Sequence, residues 1–323
     1  MLDFILRSLK VVVLATKTDF RSITSREVAL IEGPMGWGEF SPFLEYSYEE
    51  SVPWLLSTVE AAFGTSPLPM RQKIKVNATM PAIDNHDEIK SILDAFAGAK
   101  TVKIKVGGDI EADLARIAYV RQLRPEAGIR IDVNGLWSVD QAESFLNQVG
   151  EIEYAEQPCS TIGELRELKL RTSVKIAGDE IIRKAEDPFN VDLLGAIDIL
   201  ILKVAPLGGI ARAIKIAEHH QLPVAVSSAL ESAVGISHGL KLAAALPQLQ
   251  YACGLGTGAL LAADVAELAI IDGEIEVRDI TPEAGALNKL AVSNERLNWW
   301  KNRIRMTWST GAQSIAEERE WGA

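Results

Sequence analysis

A chain of 323 residues, 48% of them hydrophobic, holds enough apolar material for one barrel with an accessory domain, or for two domains of ordinary size. The 33 basic against 44 acidic residues give a net charge of −11 and a pI near 5.0, which argues against nucleic acid or an anionic membrane as partner. Two cysteines, Cys159 and Cys253, make no disulfide framework and suit a reducing cytosol.

The apolar Leu9–Ala15 stretch is interrupted by Lys10 and followed by Lys17 and Asp19, so it does not read as a secretory signal. No apolar run reaches the ~18 residues that a membrane-spanning helix needs. A cytoplasmic protein is expected. No heptad repeat or apolar patch fixes an oligomeric state, and a monomer is compatible with the sequence.

In chain order, Leu9–Ala15 and Val28–Glu32 read as strands joined by a polar loop, Lys17–Arg26. Gly33-Pro34-Met35-Gly36 is a turn, and Trp37–Pro42 continues the sheet. Tyr48–Phe63 has helical spacing, with Val52, Leu55, Leu56, Val59 and Phe63 along one stripe. Residues 1–72 are therefore expected to form a small α+β domain, which the resemblance given below implies is a capping domain. From Ile74 strand and helix alternate. The expected strands are Ile74–Ala78, Thr101–Val106, Ile129–Val133, Glu153–Glu156, Val174–Ala177, Ile197–Lys203, Pro223–Ser227 and Leu249–Cys253. Asp87–Phe96, Asp109–Leu123, Ser138–Val149 and Gly209–His219 read as intervening helices. Eight strands at this spacing imply parallel βαβ units and favour a closed α/β barrel over residues 73–285. Residues 286–323 hold a helix, Asn294–Trp308, and a polar tail, expected to pack back on cap or barrel.

The strand ends carry the chemistry. Lys105 closes the second strand, Asp132 the third and Glu156 the fourth; Asp179 follows the fifth and Lys203 closes the sixth. Each is 23 to 27 residues from the next, about one βα unit, so all five converge on the C-terminal mouth, where such barrels keep their active sites. Taken singly, each has a bland explanation: an Asx-turn for Asp132, a helix cap for Glu156 or Asp179, a snorkelling Lys203. Their shared spacing outweighs those explanations.

Three adjacent carboxylates need a compensating charge, and a hard divalent cation with oxygen ligands, Mg²⁺, supplies it. Lys103 and Lys105 share one face of their strand, while Val102, Ile104 and Val106 share the other. A lysine beside another cation loses basicity, which poises Lys105 to accept a proton from carbon. Arg130, two residues before Asp132, is expected in the barrel mouth, in reach of carboxylates or substrate. The glycines of Gly254-Leu255-Gly256-Thr257-Gly258 leave backbone N–H groups open to an anion, and Ser227 and Ser228 offer hydroxyl donors. The loop holding Phe20 and Arg21 is expected to close over the site.

Lys103-x-Lys105, Asp132-x-Asn134, Glu156-Gln157-Pro158, Asp179-Glu180 and Lys203 resemble the enolase superfamily, in its muconate-lactonising branch. The resemblance covers nearly the whole chain and implies an α+β cap on a modified (β/α)7β TIM barrel, with Mg²⁺ held by Asp132, Glu156 and Asp179. The resemblance also implies a Lys base working with Mg²⁺. Within it, Phe20–Thr24, Gly36–Phe43, Arg130–Asn134, Ser227–Ser232 and Gly254–Gly258 resemble the Mg²⁺-dependent dehydratases of menaquinone synthesis. Those convert 2-succinyl-6-hydroxy-2,4-cyclohexadiene-1-carboxylate (SHCHC) to 2-succinylbenzoate through a metal-stabilised enediolate. The resemblance implies that Lys105 removes the α-proton and protonates the departing hydroxide. Lys103 supports it, and Lys203 faces the opposite side of the ring as a stabilising cation. Asn134 and Thr257, members of the same motifs, join the expected substrate contacts.

Absences narrow the choice. The seventh strand, Pro223–Ser227, carries no histidine, against a His-base racemase; Gly256-Thr257-Gly258 replaces the Asp-x-Asp that dipeptide epimerases of this branch use. Two alternatives remain. An N-acylamino acid racemase fits the lysines on both faces, and a non-catalytic ligand-binding barrel fits the scaffold, although buried cations without a use are costly.

Overall fold

The computed structural model describes residues 1–20, 23–319 and 321. The cap begins with an antiparallel hairpin of β1 (Lys10–Phe20) and β2 (Ile23–Gly33), to which β3 (Gly36–Phe40) adds. The polar stretch expected as a loop from Lys17 to Arg26 is strand up to Phe20 and again from Ile23, with Phe20 registered opposite Ile23. Lys17 and Asp19 face water, and the register slips between Ala15 and Phe20, so an irregular, bulged stretch of strand carries these polar residues instead of a loop.

Because successive side chains point to opposite faces, the hairpin serves two cores. Val12, Leu14, Val28 and Leu30 join the core shared with the barrel. Val11, Ala29 and Ile31 pack beneath the helix Tyr48–Phe63. That helix starts at a capping box, Ser47 with Glu50, and buries Trp54, Leu55, Leu56 and Val59. Gly33 lets it approach: a Cβ there would lie 2.2 Å from the Ala62 carbonyl oxygen. The C-terminal helix Asn294–Thr307 completes this second core with Trp300 and Ile304, followed by Trp308, Ala312 and Ala316. The last three recur every four residues, so the polar tail carries a narrow apolar stripe that holds it down.

Seven parallel strands form the barrel in the order β5 (Ala78–Met80), β6 (Thr101–Lys105), β7 (Gly128–Asp132), β8 (Tyr154–Glu156), β9 (Ile176–Gly178), β10 (Ile199–Lys203) and β11 (Val224–Ser227). The expected first strand, Ile74–Ala78, is divided. β4 (Lys73–Lys75) pairs antiparallel with β12 (Glu274–Glu276), and only Ala78–Met80 enters the parallel sheet. The expected eighth strand, Leu249–Cys253, is reduced to bridge pairs. Cys253 pairs with Val76 and Gly254 with Ser227, which joins the two edges of the sheet and closes the ring. Pro247 and the polar residues around it leave no longer apolar run to extend that ladder.

Outward side chains such as Val102, Ile104, Val106, Ile129 and Ile131 pack on the helices. Inward, the lower barrel is filled by Tyr154, Ala177, Ile199, Ile201 and Ala225, with Tyr251 against them. The charged residues sit above that plug. No helix among the described residues is long and apolar enough to cross a membrane.

Glu39 of β3 pins the cap to the barrel. It accepts hydrogen bonds from Ser41 Oγ (2.6 Å), Ser232 N (3.1 Å) and Gly235 N (3.0 Å), the last two at the start of the helix Ala233–Ala245. Burial, reinforced by nearby Glu231, pushes its pKa up to about 7. The folded protein therefore holds a proton that the unfolded chain releases near pH 4–5, and this group's contribution to stability falls as pH rises from there through about 7. Glu39→Gln is expected to flatten the loss of stability between pH 5 and 7.5, read from urea midpoints. An unchanged slope would show that Glu39 does not titrate there.

Candidate active site

The strand register places the expected residues side by side. Lys105 pairs with Asp132 across β6 and β7, and Asp132 with Glu156 across β7 and β8; Asp179 directly follows β9, and Lys203 ends β10 opposite Ser227. Lys103, Lys105, Asp132, Glu156, Asp179 and Lys203 are all buried. Burying so many charges is tolerable only when each is paired. Lys103 Nζ lies 2.9 Å from Glu156 Oε2 and 3.0 Å from Asp132 Oδ2. Lys105 Nζ lies 2.6 Å from the same Asp132 oxygen and 2.9 Å from Asn134 Oδ1. Lys203 Nζ donates to Asp179 Oδ2 at 2.6 Å.

These neighbours drive the titrations apart. Burial works against every charge here, but Lys103 and Lys105 hold Asp132 well below the carboxylate range. Lys203 and Arg183 likewise hold Asp179 low against its burial. Glu156 goes the other way: burial and the adjacent Asp132 raise it to about 7. Burial alone would depress Lys103, yet Asp132 and Glu156 hold it above the ordinary lysine value.

Between cap and mouth lies a narrow, covered cavity. Lys103, Lys105, Asp132 and Lys203 line its floor, and Phe20, Ile23, Phe43 and Trp54 of the cap cover it. Ser227, Ser228, Gly254 and Thr257 line one wall; Ser228 Oγ donates to the Gly254 carbonyl (2.7 Å) and lies 2.9 Å from Thr257 Oγ1. The Phe20 ring stands 5.8 Å from Lys105 Nζ. Asn134 reaches the site through its bond to Lys105, from a left-handed backbone (φ 56°).

Two expected residues lie elsewhere, and a third lies outside the described residues. Arg130 does not reach the mouth. It points into the barrel as its spacing required, but two residues along a strand is about 6.6 Å deeper. There its guanidinium bonds Glu153 (2.6 Å) and the Ala252 carbonyl (2.6 Å) and stacks on Tyr154. Gly256 faces Phe96 and Ile270, away from the cavity; the chain turns into a 3-10 helix at Thr257–Leu260, so alternate glycines do not share a face. Arg21 lies outside the described residues.

Sequence reasoning missed Arg183, whose guanidinium bonds Asp179 (3.1 Å), Glu180 (2.7 Å) and the Tyr46 hydroxyl (3.0 Å). The i,i+4 spacing of Asp179 and Arg183 on a short helix was the available signal.

Comparison with known proteins agrees with this architecture. Residues 11–62 match the enolase N-terminal domain-like family, and residues 88–285 match the enolase C-terminal domain-like family. The chain is 50% identical over 308 residues to the o-succinylbenzoate synthase of Mycobacterium ulcerans, covering 93% of each. It is 48% identical to that of Mycolicibacterium smegmatis, over 94% of this chain and 96% of the relative. This chain belongs to the o-succinylbenzoate synthase family of the enolase superfamily. As an o-succinylbenzoate synthase relative it is an enzyme of the carbon–oxygen lyase class. The muconate lactonizing enzyme of Pseudomonas fluorescens, solved with muconolactone, shares the fold at a TM-score of 0.74 and 20% identity, over 88% of this chain and 98% of that one. The N-succinyl Arg/Lys racemase of Bacillus cereus does so at 0.70 and 18%, over 88% and 97%. At such identities the likeness is one of fold. The o-succinylbenzoate synthase relatives, aligned nearly end to end, carry the family assignment.

Proposed function

We propose that the enzyme catalyses Mg²⁺-dependent dehydration of SHCHC to 2-succinylbenzoate, a step of menaquinone biosynthesis in the cytoplasm. The observation that carries this reading is the 47–50% identity to o-succinylbenzoate synthases over more than nine-tenths of the chain. The site supports it chemically. Lys105 faces the covered cavity and takes the proton α to the substrate carboxylate. As the C–O bond breaks and the ring becomes aromatic, the same ammonium returns the proton to the leaving hydroxyl, and water departs. Lys103, whose proton is held by two carboxylates, keeps Asp132 and Glu156 in place. Lys203, four strands from Lys105 around the barrel, presents its charge to the other face of the ring.

Asp132, Glu156 and Asp179 form an all-oxygen donor set suited to Mg²⁺. Among the described residues, Asp132 Oδ1 and Glu180 Oε2 are buried acceptors with no hydrogen-bond donor, as expected beside a cation position. Among the described residues no three acids already converge on one point, since ammonium groups lie against Asp132, Glu156 and Asp179. When bound, Mg²⁺ would supply stabilisation for charge developing on the substrate carboxylate. The test is SHCHC turnover with Mg²⁺; a folded protein that binds Mg²⁺ and leaves SHCHC unchanged contradicts the substrate assignment.

One observation favours a second reading, N-acylamino acid racemisation: Lys105 and Lys203 both line the cavity from strands on opposite sides of the ring. A 1,1-proton transfer needs a base on each face. Lys203→Ala separates the two. Under the dehydration reading it lowers SHCHC turnover by about 10²-fold through the lost cation. Under the racemase reading N-succinyl amino acids exchange their α-proton in deuterated water without inversion.

A further inference from the structure

Arg183 links parts of the molecule that no strand connects. Its side chain is 5% exposed, and all three of its nitrogens are used. Two face the barrel, on Asp179 Oδ1 and Glu180 Oε1. The third bonds the hydroxyl of Tyr46, in the cap loop that also carries Phe43. Beyond Glu180 the chain of contacts continues: Asn134 Nδ2 donates to the same Glu180 oxygen at 3.2 Å, and Asn134 Oδ1 accepts from Lys105 at 2.9 Å. Behind Tyr46 the loop is fixed by buried Arg303 of the C-terminal helix, which donates to the carbonyls of Phe43 (3.0 Å), Leu44 (3.1 Å) and Tyr46 (2.8 Å).

Position adds to connectivity. Ile23, Phe43 and Arg183 line the covered cavity and also an outer cleft formed with Thr24–Arg26, Leu44–Tyr46 and Lys184. Arg183 therefore stands where the outer cleft meets the site. It touches the cap through one hydroxyl and the reacting side through two carboxylates.

We propose that Arg183 is a positioning residue that, through Tyr46, couples the docked cap loop to the orientation of Asp179 and, by way of Glu180 and Asn134, of Lys105. The proposal rests on the dehydration reading for its substrate but not for its geometry. A lysine at this position keeps the charge and loses the planar fork that spans three acceptors. A phenylalanine at Tyr46 removes only the cap contact.

The test combines SHCHC kinetics of wild type, Arg183→Lys, Tyr46→Phe and the double variant with Mg²⁺ calorimetry on the substrate-free proteins. Arg183→Lys is expected to lower kcat on the order of 10- to 100-fold with little change in KM, and to weaken Mg²⁺ binding about tenfold, as loss of a group orienting a metal ligand does. Tyr46→Phe is expected to lower kcat about fivefold alone and to add nothing in the Arg183→Lys background, because both act through one contact. Additive effects, or a wild-type kcat and Mg²⁺ affinity in Arg183→Lys, overturn the proposal. Wild-type protein inert toward SHCHC, with Mg²⁺ binding still weakened in Arg183→Lys, overturns the substrate reading and leaves the positioning role standing.

Discussion

Lys105→Ala is expected to lower SHCHC turnover by about 10³- to 10⁴-fold, the upper range for loss of a general acid–base group. No neighbour can replace it. Lys103 is the nearest amine along the strand, but it sits two residues deeper in the barrel, clamped between Asp132 and Glu156. Lys203 lies on the opposite side of the barrel, at the end of β10. The variant keeps its fold, because the aliphatic face of β6, Val102 and Ile104, is untouched. Steady-state kinetics with circular dichroism as a folding control measures this. A loss smaller than about tenfold in a folded variant would remove Lys105 from the chemistry.

Asp179→Ala is expected to cost stability as well as turnover. Asp179 is fully buried between Lys203 (2.6 Å) and Arg183 (3.1 Å), and its removal leaves two buried cations facing one another. Breaking a buried pair by deleting one partner typically costs about 3–5 kcal/mol. The sign with pH follows from the depressed acid. Lys203 and Arg183 outweigh the upward push of burial and hold Asp179 below its unfolded value, so its contribution is complete above about pH 4 and is lost progressively as pH falls below that. Urea unfolding of wild type and variant should therefore differ most near neutral pH and converge in acid. A gap unchanged between about pH 7 and about pH 2.5 would show that the charge on Asp179 is not what stabilises the fold.

Much of this was legible because strand periodicity and βα spacing act together. The alternation in Thr101–Val106 sets two lysines on one face, and the one-unit spacing of Lys105, Asp132, Glu156, Asp179 and Lys203 requires them to meet. The same periodicity fixes direction but not depth. That is why Arg130 faces inward and yet lies under the site, bonded to Glu153. Tertiary pairing overrode local pattern at the barrel seam, where Ile74–Ala78 is shared between two sheets and Leu249–Cys253 contributes only bridges. The role of the Tyr46 loop was hidden for another reason. Its contacts reach Arg183 and Arg303, 137 and 257 residues away in the chain, and no local signal encodes such partners.

The most direct measurement is SHCHC turnover by the purified chain, stripped with EDTA and then resupplied with Mg²⁺. Formation of 2-succinylbenzoate is expected to disappear on stripping and to return with Mg²⁺. Turnover indifferent to EDTA would contradict the metal assignment to Asp132, Glu156 and Asp179. A folded, Mg²⁺-binding protein that leaves SHCHC untouched would contradict the proposed function itself.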